Sequence, residues 1–420
     1  MDHPFKLSIC QQRASQILND TTQNVFVTGL AGTGKSFLIR EFLKGRDFKE
    51  YPVVASTGVA ALLAGGRTFH SFFGLGILDG PVDKIIDKAS RNTSLKKRLR
   101  QARCIIIDEV SMLPGMALDC AEAICRRVRA NESCWGGLRI IAVGDFAQLP
   151  PVQKEGGIRP WAFLSESWEA SEFKSVNLQT MLRSEDQDFL KILNHIRAGE
   201  VNEGVADYLN GKVDEDFGSQ DKPFLFSRRH EVEHFNQAKL KLIDNPLNEF
   251  KTEYFGNEMA IVQLKKIMPI PDVLQLKKNS LVMIRVNDPQ YRYVNGSLGI
   301  VKDIDPEVLT IELKRKSRLV EIKPMNFSIL DAEGEPVATA KNFPVNLAYA
   351  TTIHKAQGAT LDEMVTDLRR LWEPGQAYVA LSRLRSGSGL TLVGWDAESI
   401  LCDETVMRFH DRIGLSQIQW

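Results

Sequence analysis

The sequence predicts an α/β protein built on parallel sheets, and three observations lead to this fold class. Short apolar runs at residues 25–27, 104–107 and 140–143 alternate with segments of helical character. Strands that alternate with helices form parallel sheets covered on both faces. A glycine-rich loop joins the first of these strands to a helix. The 420 residues, 43% of them apolar and 25% charged, suffice for two or three globular domains.

Composition argues against several classes of protein. No apolar run approaches the ~18 residues that a membrane-spanning helix needs. The first residues lack the basic and then apolar pattern of a secretory signal. The six cysteines show no C-x-x-C or paired metal-binding spacing, so we expect reduced thiols and a cytoplasmic protein. The net charge is zero, and any nucleic-acid site must therefore be local.

The first half of the chain predicts one α/β unit with an insertion. A helix over residues 8–18 precedes the strand at 25–27, and residues 51–55 predict a second buried strand. Residues 75–102 change to glycines, a proline and a basic amphipathic run, which indicates an insertion. Two further apolar strands follow it.

The second half predicts another α/β unit, which begins after about residue 176. Its strand candidates are residues 224–226, 346–350 and 390–393. Between them lie shorter candidates at residues 281–286, 298–301, 309–313 and 319–322. Turns at Asn295-Gly296 and Asp305-Pro306 separate these strands and favour a small inserted β-barrel. We assign residues 1–74 and 103–175 to the first domain, 75–102 to its insertion, 176–255 and 341–420 to the second domain, and 256–340 to the β insertion.

The glycine-rich loop has the spacing of a phosphate-binding P-loop. The segment Gly29-Leu30-Ala31-Gly32-Thr33-Gly34-Lys35-Ser36 fits G-x-x-x-x-G-K-[ST] between a strand and a helix. Glycines allow backbone N–H groups to converge on a triphosphate at the start of the helix. Lys35 can reach the β- and γ-phosphates, and Ser36 can offer its hydroxyl to Mg²⁺. The pattern predicts a nucleoside triphosphatase with ATP and Mg²⁺ as cofactors.

Two strand ends carry the polar residues that such hydrolysis requires. The strand at 104–107 ends in Asp108-Glu109, where the first carboxylate can hold Mg²⁺ and the second can act as base for the attacking water. The strand at 140–143 leads to Gln148, whose neutral amide can bond both the γ-phosphate and the water. Which of the two carboxylates touches the metal directly stays open at this point.

Two arginines in the second half are candidates for γ-phosphate contacts. Arg183 and Arg383 both lie outside the predicted P-loop domain. Guanidinium charge on the transferring phosphoryl group is worth ~10³–10⁵ in rate. If both arginines reach ATP, hydrolysis would change the separation of the two domains.

The ordered motifs resemble those of superfamily 1 DNA helicases of the Pif (petite integration frequency) type, close kin of the RecD-like helicases. The most distinctive segment is Ser56-Thr57-Gly58-Val59-Ala60-Ala61. The matching segments are residues 7–11, 29–36, 56–61 with 65–72, 107–113 with the helix to 129, 144–152, 182–183, 295–299, 352–362 and 375–383. The resemblance covers about residues 7 to 395. Ser184, where the family usually has Gln, and Ala356, where Ser is frequent, depart from its pattern.

This resemblance implies two RecA-like domains with an ATP cleft between them, a wedge insertion at 75–102 and an SH3-like β insertion. The family moves 5′ to 3′ along single-stranded DNA and unwinds tailed or forked duplexes and often G-quadruplexes. We expect a compact enzyme of bacterial or viral type, nucleoid-associated if it is bacterial, acting as a monomer with a dimer on DNA as the alternative.

The resemblance also implies a role for each matched residue. Gln11 would read adenine, and Gly29, Gly32, Thr33, Gly34 and Lys35 would bind the phosphates. Ser36 and Asp108 would hold Mg²⁺, Glu109 would activate water, and Gln148, Arg183 and Arg383 would sense the γ-phosphate. The DNA track would be lined by Thr57, Gly58, His70, Thr352, His354, Lys355 and Gln357.

Bases of single-stranded DNA need ring faces to stack on. Phe69, His70, Phe72 and Phe73 could supply them, and we expect two of these phenylalanines to be core residues, with His70 the exposed member. Two alternatives to a DNA helicase remain. One is a translocase or helicase on RNA or RNA–DNA hybrids, and the other is an ATP-gated clamp on single strands that does not unwind.

Overall fold

The structure is a computed structural model that describes residues 7–56, 67–76, 78, 80–151, 159–216, 222–288, 290, 292–314, 317–330 and 335–414. The chain divides into two compact units. The first comprises Met1–Leu182, Ile329–Val337 and Glu404–Trp420, and the second comprises Arg183–Ser328 and Ala338–Asp403. Within the described ranges, no helix is long and apolar enough to cross a membrane.

A six-stranded parallel sheet forms the centre of the first unit, in the order β3-β2-β4-β5-β1-β6. Its strands are β1 (Val25–Gly29), β2 (Val53–Ala55), β3 (Arg67–Thr68), β4 (Cys104–Asp108), β5 (Arg139–Val143) and β6 (Lys174–Leu178). Val27 of β1 pairs with Val143 of β5 and with Val176 of β6. The predicted parallel α/β sheet is therefore confirmed for this unit.

Alternating side chains of these strands fill two separate cores, one on each face of the sheet. Along β4, Ile105 and Ile107 pack into one hydrophobic cluster, while Cys104 and Ile106 pack into the other. A sheet buried on both faces explains why its strands are continuous apolar runs in the sequence.

Helices cover both faces of this sheet. They are α1 (Ile9–Asp20), α2 (Lys35–Leu43), α3 (Phe69–Phe73), α4 (Val82–Arg91), α5 (Thr93–Gln101), α6 (Gly115–Arg129) and α7 (Glu166–Ala170), with 3-10 turns at Val110–Met112, Cys134–Gly137 and Ala162–Leu164. The predicted insertion contains α4 and α5. Both pack on α6, and Ile86, Leu95 and Leu99 join the core of the first unit.

The C-terminal helix, Glu404–Arg412, also packs into the first unit. Its Phe409 ring stacks on Phe163 with centroids 4.3 Å apart. The sequence grouped residues 404–412 with the second domain because they follow it in the chain. Burial of Val406 and Phe409 against aromatic side chains of the first unit decides their actual position.

The second unit contains its own parallel sheet, in the order β18-β7-β19-β20. Its strands are β7 (Phe224–Phe226), β18 (Ala350–Thr352), β19 (Met364–Leu368) and β20 (Leu390–Trp395). Helices of this unit are α8 (Gln187–Ala198), α9 (Glu203–Asn210), α10 (Arg229–Lys241), α11 (Glu258–Ile267) and α12 (Gln376–Leu381), with 3-10 turns at Gly387–Gly389 and Ala397–Ser399.

An antiparallel β insertion follows α10, as predicted. Its five-stranded sheet has the order β14-β13-β12-β11-β17, with β11 (Leu281–Ile284), β12 (Leu298–Ile304), β13 (Leu309–Leu313), β14 (Arg318–Ile322) and β17 (Val345–Leu347). Smaller sheets are formed by β8 (Asn248–Lys251) with β10 (Val273–Leu276), and by β9 (Glu253–Gly256), β15 (Met325–Leu330) and β16 (Pro336–Asn342). The turn Asn295-Gly296 joins β11 to β12, with Gly296 at φ +95°.

The strand predicted at 346–350 is wrong in detail. The structure has two short strands there, because Val345–Leu347 pairs with β11 of the insertion and Ala350–Thr352 pairs with β7 of the parallel sheet. The apolar run near residue 346 thus contributes a short strand to each of two sheets.

Candidate nucleotide and nucleic-acid sites

The P-loop lies between the end of β1 and the start of α2, and its glycines are required by its geometry. Gly29 has φ +146°, and a Cβ there would lie 2.5 Å from the Leu178 carbonyl oxygen. Gly34 has φ +81° and precedes α2 without a side chain to cap it. The first backbone N–H groups of a helix have no partner within it, so an anion can accept from them here.

Lys35 is the first residue of α2, and its ammonium group turns back over the loop. The Nζ atom donates to the Gly29 carbonyl at 2.8 Å and to the Leu30 carbonyl at 3.1 Å. An ammonium has three N–H donors and suits a phosphate as a compact positive charge. The structure therefore holds the charge of Lys35 against the P-loop backbone, and its contact with the phosphates stays a prediction.

Gln11 braces the P-loop from helix α1. Its Oε1 accepts from the Ser8 N–H at 3.0 Å in a capping box, and its Nε2 donates to the Thr33 carbonyl at 3.2 Å. The side chain is fully buried. Both ends of the amide thus have partners within the protein, and this bracing role was not foreseen from the sequence. The adenine contact of Gln11 stays a prediction.

The acidic pair follows the end of β4. Glu109 adopts a left-handed backbone conformation with φ 52°, and its N–H donates to the Asp108 Oδ1 atom at 3.0 Å. A non-glycine residue in this conformation costs of order 1–3 kcal/mol, and such strain is concentrated at functional sites. The two carboxyl groups therefore belong to adjacent residues at one strand end, and the second of them has a strained backbone.

Burial of its carboxyl group and the neighbouring charge of Glu109 raise the pKa of Asp108 to about 7, while Lys35 acts in the opposite direction. Burial is the larger cause, so the ionised form of Asp108 loses more by leaving water than it gains from the positive charge of Lys35. A hard divalent cation held by the Asp108 carboxylate, the Ser36 hydroxyl and phosphate oxygens would fit this donor set. Among the described residues, no group of three or more His, Cys, Asp or Glu could hold a metal ion.

Gln148 lies in the loop that follows β5. It is 5% exposed, its Nε2 lies 3.4 Å from the Asp145 Oδ2 atom, and its N–H donates to the Asp145 carbonyl at 3.0 Å. The Gly144 N–H donates to the Val27 carbonyl of β1 at 3.1 Å. Because β4, β5 and β1 are neighbours in the sheet, their carboxyl ends bring the acidic pair, Gln148 and the P-loop to one edge of the first unit.

In the second unit, Arg183 and Arg383 meet at Ser382. The Arg183 Nη1 atom donates to the Ser382 carbonyl at 2.6 Å, and the Arg383 Nη2 atom donates to the Ser382 hydroxyl at 2.8 Å. Arg383 is 2% exposed, and its Nε donates to the Val379 carbonyl at 2.8 Å. Two arginines that are 200 residues apart in the sequence therefore form one positively charged cluster.

The predicted DNA contacts lie in two segments, one in each unit. Thr57 and Gly58 fall outside the described residues. His70 is half-buried on α3, and burial lowers its pKa. Phe69, Phe72 and Phe73 are all core residues, with at most 3% exposed, so the expectation of only two was wrong. All three phenylalanines lie on α3, which packs against α6, and this packing accounts for their burial.

The segment Thr352 to Gln357 forms a compact turn after β18. The Thr352 hydroxyl accepts from the Lys355 N–H at 3.1 Å, and the Gln357 N–H donates to the His354 carbonyl at 3.2 Å. His354 and Lys355 are exposed. Exposed basic side chains on a tight turn can contact phosphates.

Sequence reasoning missed Arg285, which lies beneath this turn. Its Nη2 atom donates to the Lys355 carbonyl at 3.2 Å, and the residue is 3% exposed. In the sequence it merely follows an apolar strand, with no pattern that marks a buried guanidinium.

Comparisons with known proteins agree with this arrangement. The family described as PIF1-like helicase matches residues 6–207. The ATP-dependent DNA helicase Pif1 of Bdellovibrio bacteriovorus is 49% identical over 408 residues, which cover 97% of this chain and 92% of that protein.

Two solved structures are similar over nearly the whole chain. Bacteroides sp Pif1 in complex with ADP-AlF4 has a TM-score of 0.85 and 27% identity, over 98% of both chains. Bacteroides Pif1 bound to ssDNA has a TM-score of 0.66 and 27% identity, over 97% of both chains. With one edge of the first unit carrying the P-loop, the acidic pair and Gln148, and with these similarities, the chain belongs to the PIF1-like helicase family.

Proposed function

We propose that this PIF1-like helicase hydrolyses ATP to move 5′ to 3′ along single-stranded DNA and to unwind tailed or forked duplexes. The observation that carries the proposal is the convergence of Lys35, Asp108-Glu109 and Gln148 at one sheet edge. The similarity to the Bdellovibrio helicase and to the DNA-bound Bacteroides structure supports the choice of DNA. We extend the proposal to G-quadruplexes and to action in the cytoplasm, at the nucleoid in a bacterial cell.

The proposed chemistry is the attack of water on the γ-phosphorus of ATP. Lys35 and the N–H groups at the start of α2 would hold the phosphates, and Gln11 would contact adenine. Ser36 and Asp108 would hold Mg²⁺, which when bound neutralises charge on the phosphate oxygens. Glu109 would take a proton from the attacking water, and Gln148 would orient that water against the γ-phosphate.

Arg183 and Arg383 would supply further positive charge to the γ-phosphate. Their shared contacts with Ser382 would make the two guanidinium groups move together. Because stabilising arginines are worth ~10³–10⁵ in rate in other phosphoryl-transfer enzymes, their engagement would determine whether bound ATP is hydrolysed.

Single-stranded DNA would contact Thr57, Gly58 and His70 of the first unit and the turn from Thr352 to Gln357 of the second. Each segment would hold phosphates through backbone N–H groups and basic side chains, without reading base identity. Hydrolysis would then change the affinity of each of the two contacts for the DNA strand. Alternating affinities would give movement in one direction.

Strand displacement with two partial duplexes tests the proposal, one with a 5′ single-stranded tail and one with a 3′ tail. Lys35→Ala removes the phosphate-binding ammonium. Lys44→Ala is the matched control, because Lys44 lies just after α2 and forms a solvent-accessible ion pair with Glu41. We expect unwinding of the 5′-tailed substrate alone, loss of activity in Lys35→Ala, and full activity in Lys44→Ala.

Other outcomes would separate the alternatives. Unwinding from the 3′ tail alone would overturn the proposed polarity and leave the ATPase site intact. ATP hydrolysis without unwinding on either substrate would favour a single-strand clamp or translocase. Displacement of an RNA–DNA hybrid in preference to duplex DNA would favour the RNA-directed alternative.

A further inference from the structure

The C-terminal helix brings an aromatic ring into the core of the first unit. The segment Ala338–Asp403 belongs to the second unit, and Glu404–Arg412, which follows it directly, belongs to the first. The buried face of this helix includes Val406 and Phe409, and the Phe409 side chain is 4% exposed. After the second unit, the chain therefore rejoins the first unit, and its C-terminal helix is held there by burial of Val406 and Phe409.

Phe409 is part of an aromatic cluster that also contains Phe26, Phe146, Trp161, Phe163 and Trp168. Its ring stacks on Phe163 with centroids 4.3 Å apart and an interplanar angle of 12°. It meets Phe146 edge to face, with centroids 5.4 Å apart and an angle of 83°. Stacked and edge-to-face rings attract each other beyond the effect of burying their area.

Two members of the cluster connect it to the nucleotide site. Phe26 lies in β1, which ends at the P-loop, and Phe146 lies in the loop between Asp145 and Gln148. Phe26 is held by pairing with both β5 and β6. Phe146 belongs to no strand, so packing of its ring does more to determine the path of its loop.

We propose that Phe409 is a positioning residue for Gln148, acting through Phe146, so that the C-terminal helix is a working part of the ATPase site. The inference rests on the proposed role of Gln148 in ATP hydrolysis. Loss of the ring lets the Phe146 loop shift, and Gln148 shifts with it. The P-loop keeps its position because β1 is held in the sheet on both sides.

The expected signature is a fall in kcat without a matching loss of nucleotide affinity. A displacement of ~1 Å in a positioned group can lower a rate by ~10²-fold, and we expect a fall of at least ~10-fold here. The dissociation constant of a fluorescent ATP analogue should change by less than about 2-fold, because the Lys35 contacts and the helix N-terminus are unaffected.

The test compares Phe409→Met with Phe173→Leu in the full chain. Met fills the space of the ring with a flexible apolar side chain, so that folding is retained. Phe173 is the matched control because it packs on Trp168 of the same cluster, with centroids 4.5 Å apart, and has no ring contact with Phe146 among the described residues. Phe409→Tyr keeps the ring and should restore most of the rate.

The readouts are kcat with saturating single-stranded DNA, nucleotide affinity and thermal unfolding. The proposal is supported if both Phe409→Met and Phe173→Leu lower the unfolding temperature and only Phe409→Met lowers kcat. It is overturned if Phe409→Met keeps the kcat of Phe173→Leu, or if affinity falls as much as kcat. Gln148→Ala in the same assay distinguishes failure of the Phe409 proposal from failure of the proposed role of Gln148. An unchanged kcat in Gln148→Ala would overturn the role of Gln148 in hydrolysis.

Discussion

Replacing Arg285 by Met should make the second unit more stable while weakening the DNA contact proposed for it. Arg285 follows β11 and is 3% exposed. Its Nη1 atom lies 3.2 Å from the Met283 sulfur, and its Nη2 atom donates to the Lys355 carbonyl at 3.2 Å. Within the described part of the chain, its Nε atom has no hydrogen-bond partner. The hydrogen bonds of the guanidinium group thus offset only part of the free energy that it loses by leaving water.

The size of the effect follows from the pKa. Burial lowers the pKa of Arg285 to about 10. A drop of about 2.5 from an ordinary arginine corresponds to about 3 kcal/mol. The bond to the Lys355 carbonyl, which involves a charged donor, offsets about 1.5 kcal/mol of this. We therefore expect Arg285→Met to be about 1–2 kcal/mol more stable, since Met is apolar and of similar length.

The sign of the pH dependence agrees with this reasoning. The unfolded chain binds the Arg285 proton more tightly than the folded chain, so the cost is complete below pH 10 and falls only as pH rises above it. At pH 7 the full difference between Arg285→Met and the natural protein should therefore be present.

Thermal unfolding at pH 7 checks the prediction, with Arg318→Met as control. Arg318 is exposed on β14 of the same insertion, and its replacement should change stability by less than about 0.5 kcal/mol. For Arg285→Met, the midpoint of the second unit should rise by about 2–4 °C per kcal/mol. A loss of more than about 1 kcal/mol would refute the reasoning, because the guanidinium contacts would then outweigh its burial. Affinity for single-stranded DNA should fall, since the Lys355 carbonyl loses its donor.

Three further predictions concern the nucleotide and DNA contacts. Gly34→Ala should lose nucleotide binding, because Gly34 has φ +81° and the new Cβ would lie 2.5 Å from the Gln11 Nε2 atom. Binding of a fluorescent ATP analogue measures this loss. An unchanged affinity would contradict the prediction. Lys355→Ala should weaken binding to single-stranded DNA equally for all sequences. Titrations at several salt concentrations should show that the slope of log affinity against log salt concentration falls by about 1. An unaltered slope would mean that Lys355 does not contact a phosphate. Because burial lowers the pKa of His70, the unfolded chain takes up its proton first and stability is lost as pH falls below about 6.5. His70→Asn should lose less stability than the natural protein between pH 7.5 and 5.5, and equal losses would contradict this.

Several features of the site could be predicted from neighbouring residues alone. The P-loop spacing, the carboxylates at the end of β4 and the continuous apolar strands are local patterns with a direct physical cause. The structure confirms the parallel sheets, and the family match confirms the resemblance inferred from the ordered motifs. The roles of the individual site residues remain predictions, including those of Thr57 and Gly58.

Other features depended on partners far away in the chain. Phe69, Phe72 and Phe73 have the same character in the sequence, and only packing shows that all three are core. The apolar run near residue 346 gave no indication that it would divide between two sheets. Neither did the amphipathic helix at Glu404–Arg412 indicate which core it would enter.

By itself, the sequence determined the fold class, the enzyme class and the family, because these depend on residue types at short and fixed spacings. Only the tertiary structure decided that Gln11 braces the P-loop, that Arg183 and Arg383 meet at Ser382, and that Phe409 packs beneath the Gln148 loop. The physical reason is that each of these contacts joins residues brought together by the fold, and their energies depend on distance and burial rather than on position along the chain.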